Sequence, residues 1–206
     1  MAETETLNSN ALCSYDELAR FMDIDNDYDN VIDELTALIN RISKAMETYC
    51  DRTFYIQDYS ETYRGQGVDQ LILDQYPITS VSGIWSSTSR TWDDDTLVAA
   101  DEYYIQRGGN SVIRFDSYFP ISSHENIKVL YTAGLFSGLA TVPADLKLAC
   151  MKEVSRNYRL KEDKGLSSRS TDGGGAGGID TMSFMADEFM PETAQILNRY
   201  MRRRIY

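Results

Sequence analysis

Carboxylates stand at every second residue of Asp23-Ile-Asp-Asn-Asp-Tyr-Asp-Asn, and Glu34 follows at the twelfth place. That is the ligand spacing of a helix-flanked calcium loop. Two positions depart from the pattern: Tyr28 stands where a glycine makes the sharp turn, and Asn30 where an apolar residue is usual. The segment reads better as an acidic loop whose Asp27, Asp29, Asp33 and Glu34 place negative charge at the positive N-terminal end of the helix that follows. Cys13, Cys50 and Cys150 are odd in number and contain no Cys-x-x-Cys pair, which reads as buried free thiols in a reducing compartment. The single histidine, His124, lies in a polar Ser-Ser-His-Glu turn, so neither a histidine metal cluster nor a Ser-His-Asp triad assembles around it. Asp172-Gly-Gly-Gly-Ala-Gly-Gly178 lacks the Gly-Lys-Ser/Thr ending of a phosphate loop, and no strand precedes it. No set of side chains here has the pattern of an active site, so the reading is a protein that is not an enzyme, with no cofactor and no metal.

Charge narrows the partners. The chain has 206 residues and a formal net charge of −12, so it lacks the basic excess that displaces phosphate counterions. The exception is local, in Arg199-Tyr-Met-Arg-Arg-Arg-Ile-Tyr206, which contains no acidic residue. That arm leaves open a second function, an acidic regulatory or DNA-binding protein gripping with its basic C-terminus. Tyr55, Tyr59 and Tyr63 alternate along one strand face and read as cross-strand packing rather than a platform for stacking bases. At 42 % apolar and 25 % charged residues the composition is that of an ordinary globular protein. No apolar run approaches the roughly 20 residues of a membrane span, and the first residues do not form a signal peptide, so a cytoplasmic chain is expected.

The elements behind these residues start from the stretch 30–54. Val31, Leu35, Leu38, Ile42, Met46 and Tyr49 recur at spacings of three and four, and Ile32, Ile39 and Ala45 widen the stripe, which predicts a long amphipathic helix. Ser14 with Glu17 three residues on is a capping box, so a short helix is expected over about 15–22, after a polar and loose start at 1–13. Past Phe54 the period changes to two. Strands are expected near 55–63, 70–73, 78–85, 103–106, 111–115 and 126–132, with 55–63 and 70–73 paired through the Gly65-Gln-Gly67 turn, and the clearest hairpin closed by Gly108-Gly-Asn110. Val142-Pro-Ala-Asp opens a further helix to about 160, in which Leu146, Ala149, Cys150, Glu153, Val154 and Tyr158 run at helical spacing. Residues 162–181 have the composition of a flexible linker, and a last helix from Pro191 ends in basic residues. The expected fold is α+β: a small helical bundle (1–54 and 135–161) with an antiparallel β unit inserted at 55–134, then the linker and a C-terminal docking helix or tail at 182–206.

This order of elements resembles the head-tail connector (adaptor, head completion) proteins of tailed bacteriophages. The resemblance rests on Tyr49-Cys-Asp-Arg-Thr-Phe54 closing the long helix, Val129-Leu-Tyr-Thr-Ala-Gly134 closing the β unit and Val142-Pro-Ala-Asp-Leu-Lys147 opening the next helix, and it covers about 12–160. It implies a homo-oligomeric ring of about twelve copies in the virion neck, below the portal protein, joining the head to a stopper or tail-completion protein and letting DNA pass without specific binding. It also implies a C-terminal region that orders on the portal. The residues assigned to that docking are Phe184, Phe189, Ile196, Leu197, Tyr200 and Met201 as apolar anchors, with Arg199, Arg202, Arg203 and Arg204 for acidic partners.

Overall fold

A computed structural model describes residues 5–24, 29–106, 112–119, 121–122, 124–162, 168–171, 180–183 and 189–202, with 168–171 and 180–183 described as backbone. Four helices and two small antiparallel sheets make an α+β fold, joined by a further two-stranded ladder. The chain divides into two compact units, one made of Met1–Arg52 with Val142–Tyr206, the other of Thr53–Thr141.

In the helical unit, α1 (Tyr15–Met22) begins at the expected capping box: Ser14 Oγ accepts from the Glu17 amide at 3.1 Å, and a Glu17 carboxylate oxygen accepts from the Ser14 amide at 3.0 Å. It stops where Asp23 takes a left-handed conformation at φ 56°. Asp23 is thus a helix terminator, and Asp29 opens the first turn of α2 (Asp29–Tyr49), while Asp25, Asp27 and Tyr28 lie outside the described residues. Among the described residues no group of three or more His, Cys, Asp or Glu side chains is placed to hold a metal ion.

Leu35, Leu38, Ile39, Ile42 and Met46 of α2 are buried, as are Leu146, Ala149, Cys150 and Val154 of α3 (Ala144–Glu162), and the two helices pack together. Each Leu, Ile, Met or Val among them contributes roughly 1.5–3 kcal/mol by leaving water. All three cysteines are free and buried. Cys13 Sγ lies 3.8 Å from Cys150 Sγ, and that contact together with burial pushes the Cys13 thiol far up. Burial also raises Cys50, to about 12. Because all three thiols are buried, a thiol reagent at neutral pH is expected to label none of them in the native chain and all three in denaturant; rapid native labelling of Cys13 would contradict this packing.

The start of the chain is held more firmly than its polar composition indicates. Asn40, Ser43 and Glu47 are polar positions of α2 yet are buried, because each binds the incoming segment. Asn40 Oδ1 accepts from the Asn8 amide at 2.9 Å and its Nδ2 donates to Thr6 O at 2.8 Å; Ser43 Oγ accepts from the Leu12 amide at 3.0 Å; Glu47 Oε2 accepts from Asn10 Nδ2 at 3.1 Å. Expected loose, residues 5–13 form a strap across α2.

Lys147 Nζ reaches Glu17 Oε1 at 2.6 Å, joining α3 to α1. Burial alone would raise the Glu17 carboxyl, but the bonds from Lys147 and Ser14 outweigh it and hold the group below its usual range. A carboxyl with a depressed folded-state pKa adds stability that is present above its unfolded pKa of roughly 4.3 and is lost as pH falls through the folded value. Glu17→Gln is therefore expected to be less stable than the parent at pH 7, with the gap closing in acid; equal urea midpoints at pH 7 would contradict the coupling.

In the β unit, β1 (Gln57–Tyr63) does not pair with β2 (Gln70–Ile72). One sheet runs β1-β6-β3, with β3 at Ile78–Ser86 and β6 at Ile127–Ala133; the other runs β2-β5-β4, with β4 at Tyr103–Gln106 and β5 at Val112–Phe115. The local hairpin loses because β6 carries a buried row of Ile127, Val129, Tyr131 and Ala133 and matches all seven residues of β1 from Gln57↔Ala133 to Tyr63↔Ile127. The three residues of β2 offer less. Just past β1, the Gly65 amide donates to Asn126 Oδ1 at 2.7 Å. The β4–β5 pairing is the expected one, while its Gly108-Gly-Asn110 turn lies outside the described residues.

The tyrosine row of β1 packs within this unit: Tyr59 stacks on Tyr131 at 5.3 Å and Tyr55 meets Phe136 edge-on at 6.3 Å. Glu61 Oε2 accepts from Tyr131 Oη at 2.6 Å and from Tyr63 Oη. Those hydroxyls also accept the amides of Gln75 and Asp74 at 3.1 and 2.9 Å, so one carboxylate ties two strands to the turn before Pro77. Burial, with the bond to Glu61, raises both phenols. His124 is exposed, with Nε2 3.1 Å from Thr88 O.

Candidate docking surface

The C-terminal helix α4 (Pro191–Tyr200) starts with proline in its first turn, where a missing N–H costs nothing. Its approach is fixed by Glu153, a carboxylate inside the apolar stripe of α3. Glu153 is 1 % exposed; Oε1 accepts the Met190 amide at 2.6 Å and Oε2 lies 3.4 Å from Arg156. Lys152 reaches Glu192 at 2.5 Å on the exposed side. Farther along, Leu197 and Thr193 are fully buried, Cys50 Sγ donates to Leu197 O at 3.5 Å, and the Arg202 amide donates to Cys50 O at 2.8 Å. Tyr200 Oη donates to Asp145 Oδ1 at 3.0 Å, and burial with that bond raises the phenol to about 12. Within its unit, α4 is a packed helix.

Ser168–Thr171 (β7) pairs antiparallel with Asp180–Ser183 (β8), from Ser168↔Ser183 to Thr171↔Asp180. The threonines at 171 and 181 tolerate extended backbone, and the glycine run between lies outside the described residues.

This packing sorts the residues assigned to docking. Leu197 is interior and presents no surface, which removes it as an anchor in this arrangement. Ile196 and Tyr200 are half-buried, and Met201 is 37 % exposed. Phe189 packs edge-on against Tyr49 with ring centroids 5.5 Å apart. Arg199 keeps a largely exposed side chain 3.8 Å from Asp145, and Arg202 is half-buried. Phe184, Arg203 and Arg204 lie outside the described residues.

Two further members of the surface are not among the residues that the sequence assigns to docking. Tyr49, the last residue of the α2 stripe, is 38 % exposed and donates to Asn198 Oδ1 at 3.2 Å. Its signal is position, since a stripe residue in the final turn overruns the core. Asp145, in the first turn of α3, receives Tyr200 and Arg199. Tyr49, Phe189 and Met201 offer aromatic and thioether side chains and Arg199 a guanidinium, residue types suited to an apolar partner with an acidic rim. A groove of about 410 Å³ lined by Glu34, Ala37, Leu38, Arg41 and Asn157 is a separate feature of this unit, without paired carboxylates or a thiol.

The sequence profile of the head completion protein family matches residues 11–203. The chain belongs to that family. A head completion protein is a component of the virion, and its role there is structural. A search of curated proteins found no match. Among solved structures the chain is similar to one from the neck of an empty gene transfer agent particle computed with C6 symmetry, at TM-score 0.63 and 16 % identity, covering 98 % of this chain and 96 % of that one. It is also similar to a chain of the native gene transfer agent virion, at TM-score 0.60, 16 % identity and coverage of 99 % and 96 %. A third similarity is to the neck of the native particle computed with C12 symmetry, at 0.55, 17 % and the same coverage. The likeness establishes a shared fold over nearly the full length of both chains. Among the described residues no helix is long and apolar enough to cross a membrane.

Proposed function

We propose that this head completion protein forms a homo-oligomeric ring of about twelve copies in the neck, below the portal protein, joining the head to a stopper or tail-completion protein while DNA passes through. The observation that carries the reading is the family match over 11–203, and the near-complete fold likeness to neck chains solved with C6 and C12 symmetry supports it. The charge is compatible: a channel built from copies of net charge −12 repels phosphates and lets DNA slide.

The portal docks through Tyr49, Phe189, Ile196, Arg199, Tyr200, Met201 and Arg202 of the helical unit, and the sequence adds Phe184, Arg203 and Arg204 to the assignment. Truncating residues 182–206 is a poor test, because it strips Leu197 from the interior. Surface variants are better: Met201→Ser with Arg199→Glu is expected to weaken portal binding about tenfold or more while leaving the thermal midpoint within a few degrees of the parent. Undiminished portal binding would remove the docking assignment.

A further inference from the structure

Cys13 and Cys150 are 137 positions apart in the chain, yet both are fully buried in the helical unit with their sulfurs 3.8 Å from each other. Ser43 Oγ stands 3.7 Å from Cys150 Sγ and accepts the Leu12 amide at 3.0 Å, so a hydroxyl and two thiols form one buried row where the strap meets both α2 and α3. Two sulfurs are too few to hold a metal ion, and among the described residues no third His, Cys, Asp or Glu joins them. Lys147 and Glu17, the charged groups that act on Cys13, bond each other at 2.6 Å.

Two facing thiols can still lose two hydrogens and become a disulfide. An S–S bond is about 2.0 Å long, so the sulfurs have to close by about 1.8 Å. Cys13 can make that movement, because it lies in irregular backbone ahead of α1 while Cys150 is held inside α3. Cys50 bonds Leu197 O and lies seven residues past Ser43, roughly 10 Å along the α2 axis, away from the pair. A reducing cytoplasm keeps such a pair as thiols, but a virion component leaves it.

We propose that Cys13 and Cys150 are a redox-sensitive pair, reduced as the chain folds and joined by a disulfide when the released particle meets a low-molecular-weight disulfide such as oxidised glutathione. The Cys13 thiolate attacks one sulfur of the small disulfide and displaces the first glutathione thiolate. The Cys150 thiolate then attacks the Cys13 sulfur and displaces the second. The protons lost by the two cysteines end on the two released thiols; the pair gives up two electrons and the small disulfide takes them. Because both thiols are closed to reagents in the native chain, the first step waits for the strap to open locally, and the bond forms over hours rather than seconds. Once made, it fastens the strap to α3 and restricts the unfolded chain.

The test equilibrates the native full chain with oxidised glutathione for a day, alkylates it in denaturant and assigns every thiol by peptide mass spectrometry. Most chains are expected to carry a linked Cys13–Cys150 peptide pair with Cys50 still free to alkylate, and the urea midpoint by ellipticity to rise by about 1 M and fall back with dithiothreitol. Released particles taken straight into alkylating denaturant are expected to give the same linked peptides. Cys13 and Cys150 alkylated in either sample, glutathione left on one of them, or a lowered midpoint would show two thiols that only pack, and overturns the inference.

Discussion

Replacing Leu197 by alanine is expected to destabilise the helical unit by about 2–5 kcal/mol, the cost of a leucine deletion at a fully buried site. Leu197 has no exposed surface, and the carbonyl it carries accepts from Cys50, so truncation opens a cavity at the point where α4 meets the end of α2. The two tryptophans, Trp85 and Trp92, both lie in the Thr53–Thr141 unit. Helical ellipticity therefore follows one unit and tryptophan emission the other, and the urea midpoint by ellipticity is the reading that moves. A midpoint within experimental error of the parent would mean that α4 does not belong to the core.

The second large effect is at Glu153. Removing one partner of a buried, hydrogen-bonded ion pair leaves the other uncompensated, and Glu153→Ala is expected to cost about 3 kcal/mol. The alanine takes the acceptor from the Met190 amide and the carboxylate from the guanidinium of Arg156. Glu153→Gln keeps an acceptor for the amide while losing the charge, and about half that cost is expected. The ordering Ala worse than Gln, read from urea midpoints, separates a fixed α4 approach from a merely tolerated carboxylate. Because Met190 adjoins Phe189, the same variant is expected to loosen the Tyr49–Phe189 contact and with it the docking face.

Elements decided by nearby residues are legible in the sequence. The Ser14–Glu17 box sets the start of α1 to the residue, the three-and-four spacing of Leu35, Leu38, Ile42 and Met46 names the buried face of α2, and the alternation of Ile127 to Ala133 marks a strand. Partners chosen at long range are not. A strand's period says which face is buried and nothing about its neighbour, so the sequence points β1 to the next strand although β6, some seventy residues on, has the better inward row. Asn40, Ser43 and Glu47 look like the solvated face of a helix because polar side chains that bind backbone amides have the same composition as those that bind water. The docking site is legible in its residue types and not in its placement. Basic composition after Pro191 conceals that one turn of α4 is interior, and Glu153, a carboxylate in an apolar row, is the one sign that something polar has to arrive there.

Assembly at the neck is tested most directly by native mass spectrometry of the purified chain, alone and mixed with its portal protein. A closed ring of about twelve copies, or a stoichiometric complex with the portal, is the predicted result. A chain that stays monomeric and indifferent to the portal at micromolar concentration would contradict it.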